Sequence, residues 1–294
     1  MRRRRGQSGF VLILVLLLLV IAGTLLAATA RHSGGLALEA SRRHERLQVE
    51  WGTRSARALC LSRAERILQE EAGDAPVAPV TARRAVMLGD VTFRLTVADE
   101  QAKANVNALA RRRGVRGIDR PLSALQIGTA AALPIELRPR AAPPDGTEGD
   151  ASVRPYASFD RLVVFASPDA LRPSDGRTVC LIDRVTCWGS GRLNARKAER
   201  PVLRQMTAGV LTEEHVSKLL RFREQRPDAV LPEILSHLEL EKERRAEARR
   251  ILTDFTLCHS LWVVADTGSR RYYRLFVQEA GFGPGGTRIW RFRW

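Results

Sequence analysis

The chain has 294 residues, too many for one average domain, and carries 48 Lys and Arg against 32 Asp and Glu, a formal charge of +16. Its arginines are spread through nearly every segment and interleaved with acids, which argues for a solvated surface and against a single stripe that grips nucleic acid. None of the four cysteines has the C-x-x-C spacing of a zinc or redox site.

The first predicted element is a helix. Arg2–Arg5 and Gly6-Gln7-Ser8-Gly9 precede an uncharged run from Phe10 to Ala30, whose hydrocarbon is interrupted only by Gly23, Thr24 and Thr29. As a helix this run is roughly 31 Å long at ~1.5 Å per residue, against a bilayer core of ~30 Å. Lipid offers a bare backbone no partner, so a single span must be helical. The arginine cluster, with only Arg31 close by on the other side, places the amino end in the cytoplasm and the bulk of the chain outside. Three readings of the stretch compete. One is an uncleaved signal-anchor. Another is a secretory signal cut at Ala28-Thr29-Ala30, although the apolar core exceeds the usual ~7–15 residues. The third is a leader cut just before Phe10.

The third reading rests on a resemblance. A small residue, Gly9, between a basic head and a hydrophobic helix opening with Phe10 resembles the leader of type IV pilins and type II secretion pseudopilins. The resemblance implies a prepilin peptidase that cuts between Gly9 and Phe10 on the cytoplasmic side and methylates the new amino terminus. Most of that family carry a glutamate at the fifth residue after the cut. There it neutralises a neighbour's terminal amine inside an apolar filament, where an unpaired charge is costly. Here the position is Leu14. The class without that glutamate is the K-type minor pseudopilin (general secretion pathway protein K), the largest of them, placed at the filament tip. Leu14 fits a subunit with no neighbour above it.

Arg31 to Ala72 reads as a continuation of the helix, free of proline, with Leu47, Trp51, Ala58, Leu61 and Leu68 as an apolar stripe and Gly34-Gly35 as a bend. Pro76 to Arg84 reads as a linker, and Val86 to Ala98 as strand, with Gly89-Asp90 as a turn. Asp99-Glu100-Gln101-Ala102-Lys103-Ala104-Asn105-Val106-Asn107 follows directly. It resembles the Asp-Glu-x-x-Lys-x-Asn-x-Asn of K-type pseudopilins, with Asp99, Glu100, Lys103, Asn105 and Asn107 in place and Ala102 where a glycine is common. Asn side chains favour turns and caps, so the string reads as a structural clamp rather than catalytic machinery.

Short helices are predicted over 108–138. The irregular stretch Pro139–Pro155 holds Asp145, Glu148 and Asp150, which read as a solvated loop; calcium is the alternative, without EF-hand spacing. Leu162–Phe165 reads as a buried strand. Thr178–Trp188 reads as a hairpin about Asp183-Arg184 that sets Cys180 opposite Cys187, a candidate disulfide in an oxidising compartment, while Cys60 and Cys258 read as buried thiols. Gly191–Ala198, including Asn194, opens the most helical region, with one helix from near Thr212 and another from near Pro232 to Leu252. This unit resembles the SAM-like α-domain of K-type pseudopilins, a relative of helix-hairpin-helix modules. Acids nearly offset bases from Arg192 to Arg250, so packing or protein docking is favoured over DNA. Phe255–Asp266, Tyr272–Glu279 and Arg288–Trp294 read as closing strands. The G-x-G-x-x-G at Gly281–Gly286 has no helix after it and reads as a hairpin loop. Trp290-Arg291 matches a pair common at K-type carboxyl ends.

No H-E-x-x-H, G-x-S-x-G, S-x-x-K or P-loop occurs, and His32, His44, His215, His237 and His259 lack ligand spacing. The expectation is a non-enzyme without cofactor. The fold class expected is α+β: a long, membrane-spanning stem helix, a small antiparallel sheet and an inserted helical, SAM-like lobe. Its divisions are a leader (1–9), a membrane half (10–30) and an amphipathic half (31–75) of the stem. Linker and strands (76–104), a mostly helical lobe (105–254) with a strand and hairpin section (156–190), and closing strands (255–294) follow. The resemblance implies a minor pseudopilin at the tip of a type II secretion pseudopilus, in the bacterial inner membrane with its bulk in the periplasm. Its partners would be other minor pseudopilins, the inner-membrane secretion platform and the prepilin peptidase. The rivals are a signal-anchored envelope protein whose lobe binds DNA or another partner, and a protein released at Ala30.

Overall fold

The computed structural model describes residues 8–126, 136–137, 156–164, 180–280 and 286–293. Helix α1 runs Ser8–Leu61, and its mean hydropathy reaches 3.2, apolar and long enough to cross a bilayer. Every side chain from Phe10 to Ala30 is exposed, as a helix solvated by lipid would require. The helix passes through Gly34 and Gly35 without a break. A penalty of ~1 kcal/mol per glycine is too small to interrupt so long a helix. It stops instead at Ser62–Arg63, where the Ser62 hydroxyl bonds back to the Ala58 carbonyl at 2.7 Å and competes with the helical ladder. Helix α2, Ala64–Ala72, resumes after it. Residues up to Trp51 form one unit and those from Gly52 another.

The second unit is built on a five-stranded antiparallel sheet. Its strands are β1 (Thr81–Leu88), β2 (Val91–Asp99), β9 (Cys258–Asp266), β10 (Arg271–Ala280) and β11 (Thr287–Arg293), in the order β1-β2-β9-β10-β11. Strand β1 takes in Thr81–Arg84, assigned to a linker from composition. The pairing of Thr81 with Ala98 and Arg84 with Leu95 extends the hairpin along all of β2. The central seam joins β2 to β9, with Asp99 opposite His259 and Thr92 opposite Asp266, so the chain leaves the sheet at Asp99 and returns at Cys258.

Alternation sorts the side chains to two faces. Phe93, Leu95, Val97, Leu261 and Phe276 are buried, and Arg57 of α1 lies over the Phe276 ring at 5.7 Å. Helix α2 packs along β1 and β2 on the same side. The buried stripe keeps Leu61 and Leu68 of the predicted one and departs from the rest: Thr53, Ala56 and Ala64 are covered, while Leu47, Trp51 and Ala58 are exposed. Small residues face the sheet because the approach is close. A Cβ on Gly52 would lie 2.2 Å from the Phe93 ring. Gly52→Ala is therefore expected to destabilise by about 1–3 kcal/mol, measured by urea unfolding, with Gly23→Ala, which meets nothing within 4 Å, unaffected.

The other face, including Trp262, Leu275 and Val277, joins the core of the inserted lobe. The lobe starts with a 3-10 turn (Glu100–Ala102), β3 (Ala104–Asn105), α3 (Val106–Arg113), a second 3-10 turn (Val115–Ile118) and α4 (Asp119–Gln126). The pair β4 (Glu136–Leu137) and β5 (Val163–Val164) follows, with a helical turn α5 (Phe159–Leu162) before β5. Where a hairpin about Asp183-Arg184 was predicted, the chain forms a helical turn, α6 (Leu181–Arg184), and then β6 (Val185–Thr186), parallel to β3. The Asp183 carboxylate accepts the Cys180 N–H at 2.9 Å, an N-terminal helix contact that a two-residue hairpin turn could not make. The rest comprises β7 (Leu193–Asn194), α7 (Arg200–Met206), α8 (Glu213–Gln225), α9 (Leu231–His237), α10 (Lys242–Ile251) and β8 (Leu252–Thr253), parallel to β7. The single helix predicted from Pro232 to Leu252 is two, separated at Glu239, whose φ of 52° no α-helix accommodates. Thr212 caps α8 as its position in the sequence implied.

Candidate functional site

The Asp99–Asn107 string turns the chain out of the sheet, and its polar side chains are buried. Asp99 is wholly enclosed at the end of β2. Its Oδ1 accepts the Gln101 and Ala102 N–H groups at 2.9 and 3.2 Å and so caps the 3-10 turn. Its Oδ2 accepts the Thr256 hydroxyl at 2.5 Å and the Asn194 amide at 3.4 Å, with Lys197 Nζ 3.6 Å away. Lys103 Nζ lies 2.5 Å from Glu100 Oε1, both side chains 1% exposed, and Ser260 donates to the same oxygen at 2.5 Å. Asn105 caps α3 by accepting the Ala108 N–H at 2.9 Å, and donates to the Trp188 carbonyl at 2.6 Å. Asn107 donates to the Tyr156 and Cys187 carbonyls at 2.9 and 2.8 Å and accepts the Tyr156 N–H at 3.0 Å. Buried polar groups must be paired, and here the pairing ties four distant segments to one short string.

Sequence reasoning found this string and Asn194, because they form local motifs. It missed Thr256, Ser260 and Glu279. Glu279 is buried, and its Oε1 accepts the Gly189 N–H at 2.6 Å. In a strand with alternating character nothing marks that glutamate apart from solvent-facing ones. Gly9 opens α1 together with Phe10 and Leu14, whose side chains are exposed, while Arg2–Arg5 lie outside the described residues. Asp145, Glu148 and Asp150, weighed for calcium, also lie outside them. Among the described residues no three His, Cys, Asp or Glu side chains gather as metal ligands.

No disulfide joins Cys180 and Cys187, because the helical turn between them replaces the hairpin that would have set them opposite each other. Burial, and then the Glu100 and Asp160 carboxylates, push the Cys187 thiol far up. Burial raises Cys258 in the same way, and Glu100, Glu279 and Asp99 add to it. Both are inert as nucleophiles.

Beside the clamp a cleft of about 520 Å³ opens between α2, the segment 75–78, and the chain around Asn194–Lys197 and Asp254–His259. Lys197 Nζ reaches Glu65 Oε1 and Oε2 at 2.6 and 2.7 Å, and His259 Nε2 lies 3.4 Å from Oε2. The His259 contact, followed by the bond and charge of Lys197, outweighs the opposing effect of burial and lowers the Glu65 carboxyl to about 2. A carboxyl depressed from 4.5 stabilises the fold fully above its unfolded value and loses that contribution as the pH falls towards about 2. Glu65 is 46% exposed, so screening reduces its worth to about 1 kcal/mol. The stability gap between the wild type and Glu65→Gln, read by urea titration, should shrink towards zero over that window. A gap that stays constant would mean the contacts do not set its ionisation.

No protein-family model and no curated protein matches the sequence. Among solved structures, the chain is similar to one chain of the crystal structure of the GspK-GspI-GspJ complex from the enterotoxigenic Escherichia coli type 2 secretion system. The TM-score is 0.52 at 15% identity, over 87% of this chain and 99% of that one. The fold is pseudopilin-like. It is of the α+β class, with a long apolar amino-terminal helix and a mixed body of helices and antiparallel sheet.

Proposed function

We propose that this chain is a K-type minor pseudopilin, held by α1 in a bacterial inner membrane with its body in the periplasm. It caps a type II secretion pseudopilus, starts filament assembly and supports protein export. The observation that carries the reading is the fold match to a chain of a pseudopilin complex, which takes in the lobe as well as the sheet. Three features of the sequence support the finer assignment: the Gly9–Phe10 junction, Leu14 in place of the filament glutamate, and the buried Asp99–Asn107 string. Its partners are then other minor pseudopilins below it, the secretion platform that extracts it, and the prepilin peptidase. Its role is structural, not enzymatic, and its clamp keeps sheet and lobe in one piece while the subunit is pulled from lipid.

The amino terminus of protein recovered from its native membrane tests the reading. Intact mass and terminal sequencing should find methylated Phe10, and Gly9→Val should leave the leader attached. A chain that starts at Met1 is a signal-anchored protein and one that starts at Arg31 a released protein; either outcome ends the assignment. Co-purification with other minor pseudopilins then distinguishes a filament tip from an isolated prepilin-like protein.

A further inference from the structure

The cleft beside Glu65 has the size of a ligand site. Arg196 stands in its wall and donates Nε to the Pro227 carbonyl at 2.7 Å. Its two terminal amino groups have no partner among the described residues. That leaves, in a residue lining the cleft, the outer edge of a guanidinium, which matches a carboxylate with two parallel hydrogen bonds. Next to it, Lys197 and His259 already hold a carboxylate, that of Glu65. The remaining acid of the wall, Asp254, accepts the Leu231 N–H at 2.7 Å and is committed to the start of α9.

The rest of the lining suits a peptide. Phe255 is 48% exposed at the rim, large and apolar. The segment 75–78 lines the same cleft, and in it the N–H groups of Val77 and Ala78 have no backbone partner among the described residues. A bound main chain can satisfy such groups, as an added strand does at a sheet edge.

We propose that this cleft binds an acidic, extended peptide segment of a partner protein, with one carboxylate on Arg196 and an adjoining apolar side chain on Phe255. The inference does not depend on the filament reading. An amino terminus at Met1 would end that reading and leave this one standing.

The test uses the full chain in detergent micelles and a fluorescently labelled hexapeptide with a Phe-Glu core, read by anisotropy. Saturable binding is expected, about tenfold weaker or more when the peptide glutamate is replaced by glutamine. Arg196→Gln should weaken binding of the acidic peptide by about tenfold, and Arg196→Lys by less, since it keeps the charge and loses the fork. Glu65→Gln should tighten it by releasing Lys197 and His259 to the incoming carboxylate. Thermal melts establish that each variant is folded, and Arg196→Lys carries the comparison if Arg196→Gln is not. Equal affinity for the acidic and amide peptides, indifference to both Arg196 variants, or no binding at millimolar peptide would overturn the proposal.

Discussion

Lys103→Met is expected to cost about 3–5 kcal/mol of stability. The ammonium is 1% exposed and sits 2.5 Å from Glu100 Oε1, whose side chain is equally enclosed. Removing one member of such a pair strands the other charge without solvent, and the penalty is the uncompensated ion rather than a lost contact. Ser260 still donates to Oε1, but Glu100 Oε2 has no hydrogen-bond partner among the described residues. One hydroxyl does not replace an ammonium. The double variant Glu100→Gln with Lys103→Met removes both charges and should regain most of the loss, because replacing a buried pair with neutral groups is often close to neutral. Urea unfolding of the full chain measures both. If Lys103→Met were within about 1 kcal/mol of the wild type, the pair would not be an organising element of the turn.

Much of the sheet and the stem could be read from the chain, because each carries its own period. The apolar run Phe10–Ala30 is long enough to dictate a helix, β2 and β11 alternate, and β9 and β10 carry short apolar runs bounded by turn residues. The misses occur where distant segments decide. Nothing local makes Thr81–Arg84 a strand; its pairing with Leu95–Ala98 does. Nothing near Asp183 forbids a hairpin. What decides there is the parallel pairing of Val185–Thr186 with Ala104–Asn105, which holds the chain just after it. The clamp was half visible for the same reason. Its first members lie within nine residues, while Thr256 and Ser260 arrive from more than 150 residues away with no pattern to announce them. The cleft was not visible at all, since Glu65, Lys197 and His259 meet only after α2 has docked on the sheet and the lobe has closed back on it.

Asp99→Asn is the substitution that best separates the clamp from ordinary core packing, since it preserves shape and removes charge. Every group around the carboxylate is a donor: the Gln101 and Ala102 N–H groups on one oxygen, and Thr256, Asn194 and Lys197 on the other. An amide must turn its NH2 towards one of these sets, so at least one buried donor faces another donor whichever way it flips. Hydrogen bonds to a charged acceptor are worth about 1.5–3 kcal/mol each, and an orphaned buried donor costs about 1–3 more. A loss of about 3–5 kcal/mol is expected, although no atom has been deleted. The damage should be uneven. Amide exchange should speed up at Gln101 and Ala102 and around Asn194–Lys197, where the lobe is fastened to the end of β2. The hairpin at the far end of β2 should keep its protection, because no partner of Asp99 reaches it. Asn105→Ala, by contrast, uncaps α3, at about 1 kcal/mol for the cap, and removes the donor to the Trp188 carbonyl, so it should act at those two points and leave Asn194–Lys197 protected. If Asp99→Asn and Asn105→Ala proved equally mild and equally local, the string would be a set of independent caps. The larger, directional effect at Asp99 is what a joint between sheet and lobe requires.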